Sequence, residues 1–273
     1  YKPLTGDDKT AAAAWKKLNK QARERDDKTI EMAFAKVTGE LGGTAQKVEA
    51  QAEDDLTSVE AKRKAFNALV TGESYWRVKT ACDLYVAAFL LPKVKLPDLT
   101  AGAKGITIPT TSAVRDKLSG LLAVSSLEAT AIEVATAARA FHWPLEFPQV
   151  FFPGAGRKAG FDLALGNPPW EVTQLNETEY FASKAPEIAN LTTKLRKEAI
   201  ESLASQQSPL WLAYQLDKRI SESRSNFARA SGRFPLSAQG KVNTYALFAE
   251  LFQMLSRRAA FVVPSGIAMD AST

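Results

Sequence analysis

The sequence predicts an α/β chain in which a large α-helical region accompanies part of a parallel sheet. Three observations lead there. The first half is rich in helix formers and carries helix caps. Two short apolar runs, residues 161–165 and 259–263, each end at Gly or Pro and pass into a loop, as buried strands do. A helical pattern over residues 243–257 leads directly into the second run. Strand, helix, strand with loops at the strand ends suggests a parallel sheet, and sites in such sheets form beyond the carboxyl ends of the strands.

Residues 11–25 combine good helix formers with a cationic face and read as a solvated surface helix. Thr57-Ser58-Val59-Glu60 reads as a capping box that opens a helix through Ala65, Phe66 and Leu69, ended by Gly72. The next helix places Trp76, Tyr85 and Phe89 on one buried stripe and is closed by Pro92. Pro92, Pro97, Gly102, Gly105 and Pro109 make residues 92–111 a loop. Two further helices follow, over 112–124 and 127–141, with a cap in Ser125-Ser126-Leu127-Glu128. Residues 141–152 are aromatic and read as extended, because Pro144 and Pro148 do not fit a helix interior. Residues 171–240 are polar, with helices near 187–205 and 209–230. Asn243 is the expected N-cap of a helix whose stripe is Phe248, Leu251, Phe252 and Leu255.

Composition narrows the chemistry. The chain has 273 residues, 45% of them hydrophobic, and a formal net charge of +5. That mild excess suits a polyanion without establishing one. With one cysteine, Cys82, and one histidine, His142, neither an internal disulfide nor a site built on several Cys or His ligands is available. No metal is expected, and the compartment reads as reducing and cytoplasmic. No apolar run reaches the length of a membrane span. The chain opens Tyr1-Lys2-Pro3-Leu4 without Met or a leader and closes Asp270-Ala271-Ser272-Thr273; both ends are read as cuts through a longer protein.

The chemistry concentrates in Asn167-Pro168-Pro169-Trp170, directly after the first strand and Gly166. Two prolines fix φ and remove two backbone donors, and Pro168 holds Asn167 extended. The loop therefore presents acceptors, the Asn167 side-chain oxygen and the Pro168 carbonyl. Acceptors suit an exocyclic amine: two hydrogen bonds from its protons draw the nitrogen out of ring conjugation and free its lone pair for in-line attack on a methyl sulfonium. Positioning and electrostatics then supply the rate, with no perturbed general base required. Trp170 can stack on a base flipped out of a duplex, an interaction worth about 1–3 kcal/mol. The same tetrapeptide also fits a rigid turn with Trp170 in the core.

Phe161-Asp162-Leu163-Ala164-Leu165-Gly166-Asn167-Pro168-Pro169-Trp170-Glu171 resembles the catalytic motif of amino-methyltransferases acting on DNA. Phe141-His142-Trp143-Pro144-Leu145-Glu146-Phe147 upstream, and Val263-Pro264-Ser265-Gly266-Ile267-Ala268 with Asp270 downstream, are similar to large adenine-specific methyltransferases of bacterial restriction-modification and phage-defence systems, including the single-chain type IIG enzymes. Gly6-Asp7-Asp8-Lys9 also resembles a stretch of that group. The resemblance implies that the α/β part belongs to a Rossmann-like class I methyltransferase core. It further implies S-adenosylmethionine as donor, adenine N6 in double-stranded DNA as acceptor, a bacterial cytoplasmic setting, and other defence-system subunits as candidate partners. Carried over by motif, Asn167, Pro168, Pro169 and Trp170 are the catalytic loop, with Asn167 and Pro168 on the amino group and Trp170 on the base. Residues 1–140 are then a mainly helical region or insertion, and 141–273 a partial catalytic core with a helical insertion at 171–240.

The sequence also departs from that group. The glycine-bearing cofactor motif and the acidic ribose-binding residue are not found and are expected before Tyr1; Gly154-Ala155-Gly156 follows a Phe-rich segment rather than a strand. A target-recognition domain is expected after Thr273. Relatives carry a longer, glycine-containing turn where Leu255-Ser256-Arg257-Arg258-Ala259 stands, which leaves either a tight turn or absent residues; residues 152–160 raise the same choice.

Within residues 215–241, Lys218, Arg219, Arg224, Arg229, Arg233 and Lys241 face only Asp217 and Glu222, six basic residues to two acidic, a local charge of +4. Phe227 and Phe234 interleave. A DNA-backbone surface and a solvated helix face fit this run equally. His142 and Glu146 read as packing residues beside Trp143, Asp162 as structural, and Asp270 as close to the active edge. Three other readings stay open: a non-catalytic DNA-binding or scaffolding module of a defence system, the same fold acting on cytosine N4, and a related fold acting on glutamine amides. Because the glycine motif is missing, S-adenosylmethionine should raise the melting temperature of the 273-residue chain negligibly; a large shift in a thermal-melt titration overturns the placing of that motif outside it.

Overall fold

The structure, a computed structural model, describes residues 3–94, 108–121, 126–153 and 158–269. Most of the expected loop at 92–111, residues 122–124 of the expected fourth helix, Ser125 of the expected cap, Gly154-Ala155-Gly156 and Asp270 lie outside the described residues. The chain divides into two units. One is built on Lys9–Leu163 with Leu255–Arg257, the other on Ala164–Met254 with the described parts of Tyr1–Asp8 and Arg258–Thr273.

The first unit is helical. Its longest element, α1 (Lys9–Glu49), extends well past the helix expected over 11–25: there Lys16, Lys17, Lys20, Arg23 and Arg25 are exposed as expected while Ala11, Ala12 and Trp15 are buried, and farther along Val37, Leu41 and Ala45 are buried too. Small residues let neighbours come close. A Cβ on Gly42 would stand 2.2 Å from the Phe152 carbonyl oxygen. Helix α2 (Leu56–Thr71) has its cap two residues before the expected one. Asp55 is its N-cap, accepting from the Ser58 amide at 2.7 Å while the Ser58 hydroxyl accepts from the Asp55 amide at 3.0 Å. Gly72 separates it from α3 (Glu73–Leu90). The buried face of α3 is Val78, Ala81, Leu84 and Ala87, not the expected aromatic stripe; Trp76 and Tyr85 are exposed. The smaller side chains win because they admit α1, α4 (Thr111–Leu118) and α5 (Ser126–Ala137) at short range.

Residues 141–152 are corrected from extended to two short helices, α6 (Trp143–Glu146) and α7 (Pro148–Phe151). Pro144 and Pro148 sit within the first two positions of these helices, where a missing N–H breaks no helical bond. Phe161 lies edge-on to Trp143, Phe147 and Phe151. His142 does more than pack: its Nε2 lies 2.9 Å from Oδ1 of buried Asp83, whose Oδ2 takes Lys79 Nζ at 2.7 Å. Asp162 is exposed and pairs with Arg257 at 3.0 Å. The junction 255–257 is a tight turn, with the Phe161 amide on the Leu255 carbonyl at 2.8 Å and the Arg257 amide on the Phe161 carbonyl at 2.9 Å.

The second unit contains the only sheet among the described residues. Strand β1 (Ala164–Gly166) leads to α8 (Glu177–Lys184), α9 (Pro186–Ala189), α10 (Thr193–Ser205), α11 (Pro209–Ala230) and α12 (Thr244–Leu255), then to β2 (Ala259–Phe261) and α13 (Gly266–Met269). The strands pair in parallel, Ala164 with Ala259 and Gly166 with Phe261. Helices α8 to α11 close over Phe181, Ile188, Ile200 and Tyr214. Burial pushes the Tyr214 hydroxyl pKa up, and that hydroxyl donates to Glu177 at 2.8 Å.

The expectation of a Rossmann-like class I methyltransferase core is overturned. The structure is 67% helical, and its parallel sheet has two strands of three residues each, with no several-stranded core evident among the described residues. Parallel sheets need near-continuous apolar runs covered on both faces. This sequence supplies two such runs, both short, and capped helices hold the chain between them.

Asp26, 2% exposed, fastens α4 to α1: Arg25 and Arg115 donate to it, and the Ser112 hydroxyl donates at 2.7 Å. Donation from Arg25, then from Ser112, holds its carboxyl below the usual aspartate range. Its stabilising contribution is therefore present above the unfolded-state value of about 3.9 and is lost as pH falls from there towards the folded value. Asp26→Asn should lower the melting temperature at pH 7, with the gap to wild type narrowing below about pH 4; a gap that does not depend on pH refutes the assignment. Gly42→Ala gains about 1 kcal/mol of helix propensity but overpacks against a backbone carbonyl at a cost of about 1–3 kcal/mol, so denaturant unfolding should show a net loss; a gain in stability would contradict the close approach.

Candidate functional site

Gly166 ends β1 in close contact with α12. A Cβ there would lie 3.0 Å from Phe252 Cζ, and the Phe252 ring centroid is 5.8 Å from that of Phe261 on β2. One face of the strand pair is thus covered by α12. The opposite face carries Leu165 at 69% exposure and, just past β2, Val262 at 59%.

The chain leaves Gly166 as Asn167-Pro168-Pro169-Trp170. Pro168 is buried; Asn167, Pro169 and Trp170 are exposed. Among the described residues no hydrogen bond engages the Asn167 side chain or the Pro168 carbonyl. Trp170 is 55% exposed yet tethered, its indole N–H donating to the Val262 carbonyl at 3.3 Å. From there the loop runs beside the start of α12. The Glu171 amide donates to the Thr244 hydroxyl at 2.9 Å, that hydroxyl lies 2.6 Å from the Pro169 carbonyl, and the Thr244 amide donates to the Glu171 carbonyl at 2.8 Å. An antiparallel bridge between Val172 and Asn243 follows, then the Thr173 amide on the Val242 carbonyl at 3.1 Å. The four loop residues therefore share one end of the strand pair. Neither Thr244 nor Val262 carries a motif in the sequence; the local signal is the Asn243-Thr244 pair at a helix start, where Asn243 is the expected N-cap. The Asn243 side-chain Nδ2 donates to the Tyr245 hydroxyl at 3.3 Å.

The six basic residues separate into two kinds. Arg219 is 13% exposed and donates to Asp7 at 2.8 Å and to the Thr5 carbonyl at 2.6 Å. Glu222 receives the Thr5 amide and hydroxyl beside it. Arg229 binds the Ala238 and Gly240 carbonyls, and Lys218 lies 5.4 Å from the Tyr214 ring centroid. Arg224, Arg233 and Lys241 are exposed, and none has a side-chain hydrogen bond or ion pair among the described residues. The segment bearing Arg233 is held by Glu250, 7% exposed, which receives the Leu236 amide at 3.1 Å and the Ser237 amide at 2.9 Å. Burial pushes its carboxyl up, but donation from Ser237 and Leu236 outweighs burial and leaves it below the ordinary glutamate value.

The described residues do not build a cradle for S-adenosylmethionine. No Gly-x-Gly turn follows either strand, and the space a glycine offers at the end of β1 is filled by the Phe252 ring. No helix among the described residues is long and apolar enough to cross a membrane. In comparisons with known proteins, the chain matches no family model, no curated sequence and no solved structure.

Proposed function

We propose that residues 167–170 form the amino-group site of a DNA adenine-N6 methyltransferase. One observation carries this reading: an Asn-Pro-Pro-Trp loop stands at the carboxyl end of a parallel strand with the Asn167 side chain and the Pro168 carbonyl uncommitted and the Trp170 ring exposed. An exocyclic amine brings two protons to those two oxygens. Accepting both pulls its nitrogen towards a tetrahedral shape and localises the lone pair, which is catalysis by position and charge rather than by proton abstraction. Trp170, its ring held through Nε1, offers a face on which a flipped base stacks.

The methyl donor implied by the resemblance is S-adenosylmethionine. Since the described residues do not cradle it, the reading rests on the acceptor side alone. Arg224, Arg233 and Lys241 are the basic residues available to DNA phosphates; Arg219 and Arg229 are committed to holding their own unit. A second reading, a non-catalytic DNA-binding or scaffolding module, is favoured by the two-stranded sheet.

The 273-residue chain by itself is expected to be inactive, so the test is methylated-base mapping of DNA from a host expressing the full gene that encodes it, beside Asn167→Ala. N6-methyladenine at one sequence motif, abolished by the substitution, is the expected result. Methylation at cytosine N4 keeps the acceptor mechanism and changes the base. No methylation from either gene overturns the catalytic reading in favour of the binding module.

A further inference from the structure

We infer that Thr244 is a positioning residue for the proposed site: its hydroxyl clamps the backbone on both sides of Trp170 and thereby sets where Trp170 and the Pro168 carbonyl stand. The inference rests on the reading of residues 167–170 as an acceptor site.

The geometry is specific to a hydroxyl. Thr244 Oγ1 accepts from the Glu171 amide at 2.9 Å and has one proton to give. Its shorter acceptor contact is the Pro169 carbonyl at 2.6 Å, the other the Glu171 carbonyl at 3.0 Å. One atom thus ties the residue before Trp170 to the residue after it. Without it, the Glu171 amide loses its partner and the Pro169 carbonyl its donor. A Pro-Pro segment cannot compensate from within, since neither proline has an N–H to donate. The clamp also has a rigid base. Thr244 is the first residue of α12, and Phe252 two turns later packs against Gly166, where the loop begins. The loop is therefore held at its root by apolar contact and at its far end by a hydroxyl. Trp170 between them has the Val262 carbonyl as its single side-chain tether.

Thr244→Val keeps the shape and removes the hydroxyl; Thr244→Ser keeps the hydroxyl and removes a methyl. In a host expressing the full gene at a level where wild type methylates incompletely, Thr244→Val should lower the methylated fraction roughly tenfold or more, as expected for an acceptor loop displaced by a fraction of an ångström. Thr244→Ser should stay close to wild type. Hydrogen exchange on the purified 273-residue chain gives a second readout: the Glu171 amide should exchange faster in Thr244→Val and be protected again in Thr244→Ser, with protection along α11 unchanged. If Thr244→Val loses α11 protection as well, Thr244→Ala replaces it. Wild-type methylation in the Val variant, equal loss in the Ser variant, or Glu171 exchange unaltered by either substitution overturns the clamp. If wild type methylates nothing, the function reading fails, and Glu171 exchange alone decides the clamp.

Discussion

Two parallel strands cannot be joined by a hairpin, so a chain that leaves one must pass through other structure before it enters the next. In the unit built on Ala164–Met254, everything follows from that requirement. Chain leaving Gly166 travels through α8 to α11 and returns by α12, whose end feeds β2. Helix α12 is more than a connector. Its first residue holds the backbone beyond the Asn-Pro-Pro-Trp loop, and Phe252 fills the space beside Gly166. Glu250, between the two, fixes the segment around Ser237. The return path that the parallel pairing demands is thus also the scaffold of the candidate site.

The helical unit answers a different constraint. Its longest helix is poor in large apolar residues, so cohesion comes from close approach and from charges buried in pairs. Gly42 against Phe152 is the extreme case of the first. Asp26 and Asp83 are the cases of the second, each nearly inaccessible and each satisfied by more than one donor from more than one element. A buried carboxylate is tolerable only when its oxygens are occupied. These two occupy theirs with residues that tie helices together. Packing by small side chains also explains why Phe66, Trp76 and Tyr85 remain exposed.

Charge in the second unit is apportioned by geometry rather than by count. A run of six basic residues reads as one surface, but a guanidinium near unsatisfied carbonyls or a buried carboxylate is used there first. Arg219 holds Asp7 and the Thr5 carbonyl, and Arg229 holds the carbonyls of Ala238 and Gly240. Arg224, Arg233 and Lys241 are exposed without such a partner among the described residues. Trp170 shows the same logic in the loop. Its one polar atom is satisfied by the Val262 carbonyl while its ring stays exposed.

By itself the sequence determined the local events: a short strand that ends at Gly166 and another that begins at Ala259, though neither has the expected length or burial, the helices α10 and α11, the end of α2 at Gly72, and an Asn-Pro-Pro-Trp loop after Gly166. Each depends on neighbours within a turn or two, through period, capping and proline sterics. The tertiary structure alone decided which face of α3 is buried. It also decided that the sheet stops at two strands, that α1 is a core element, and that Thr244 grips the loop. These outcomes turn on how closely distant segments approach and on which donors reach which acceptors across them. Residue spacing along one chain does not encode those distances until the chain has folded.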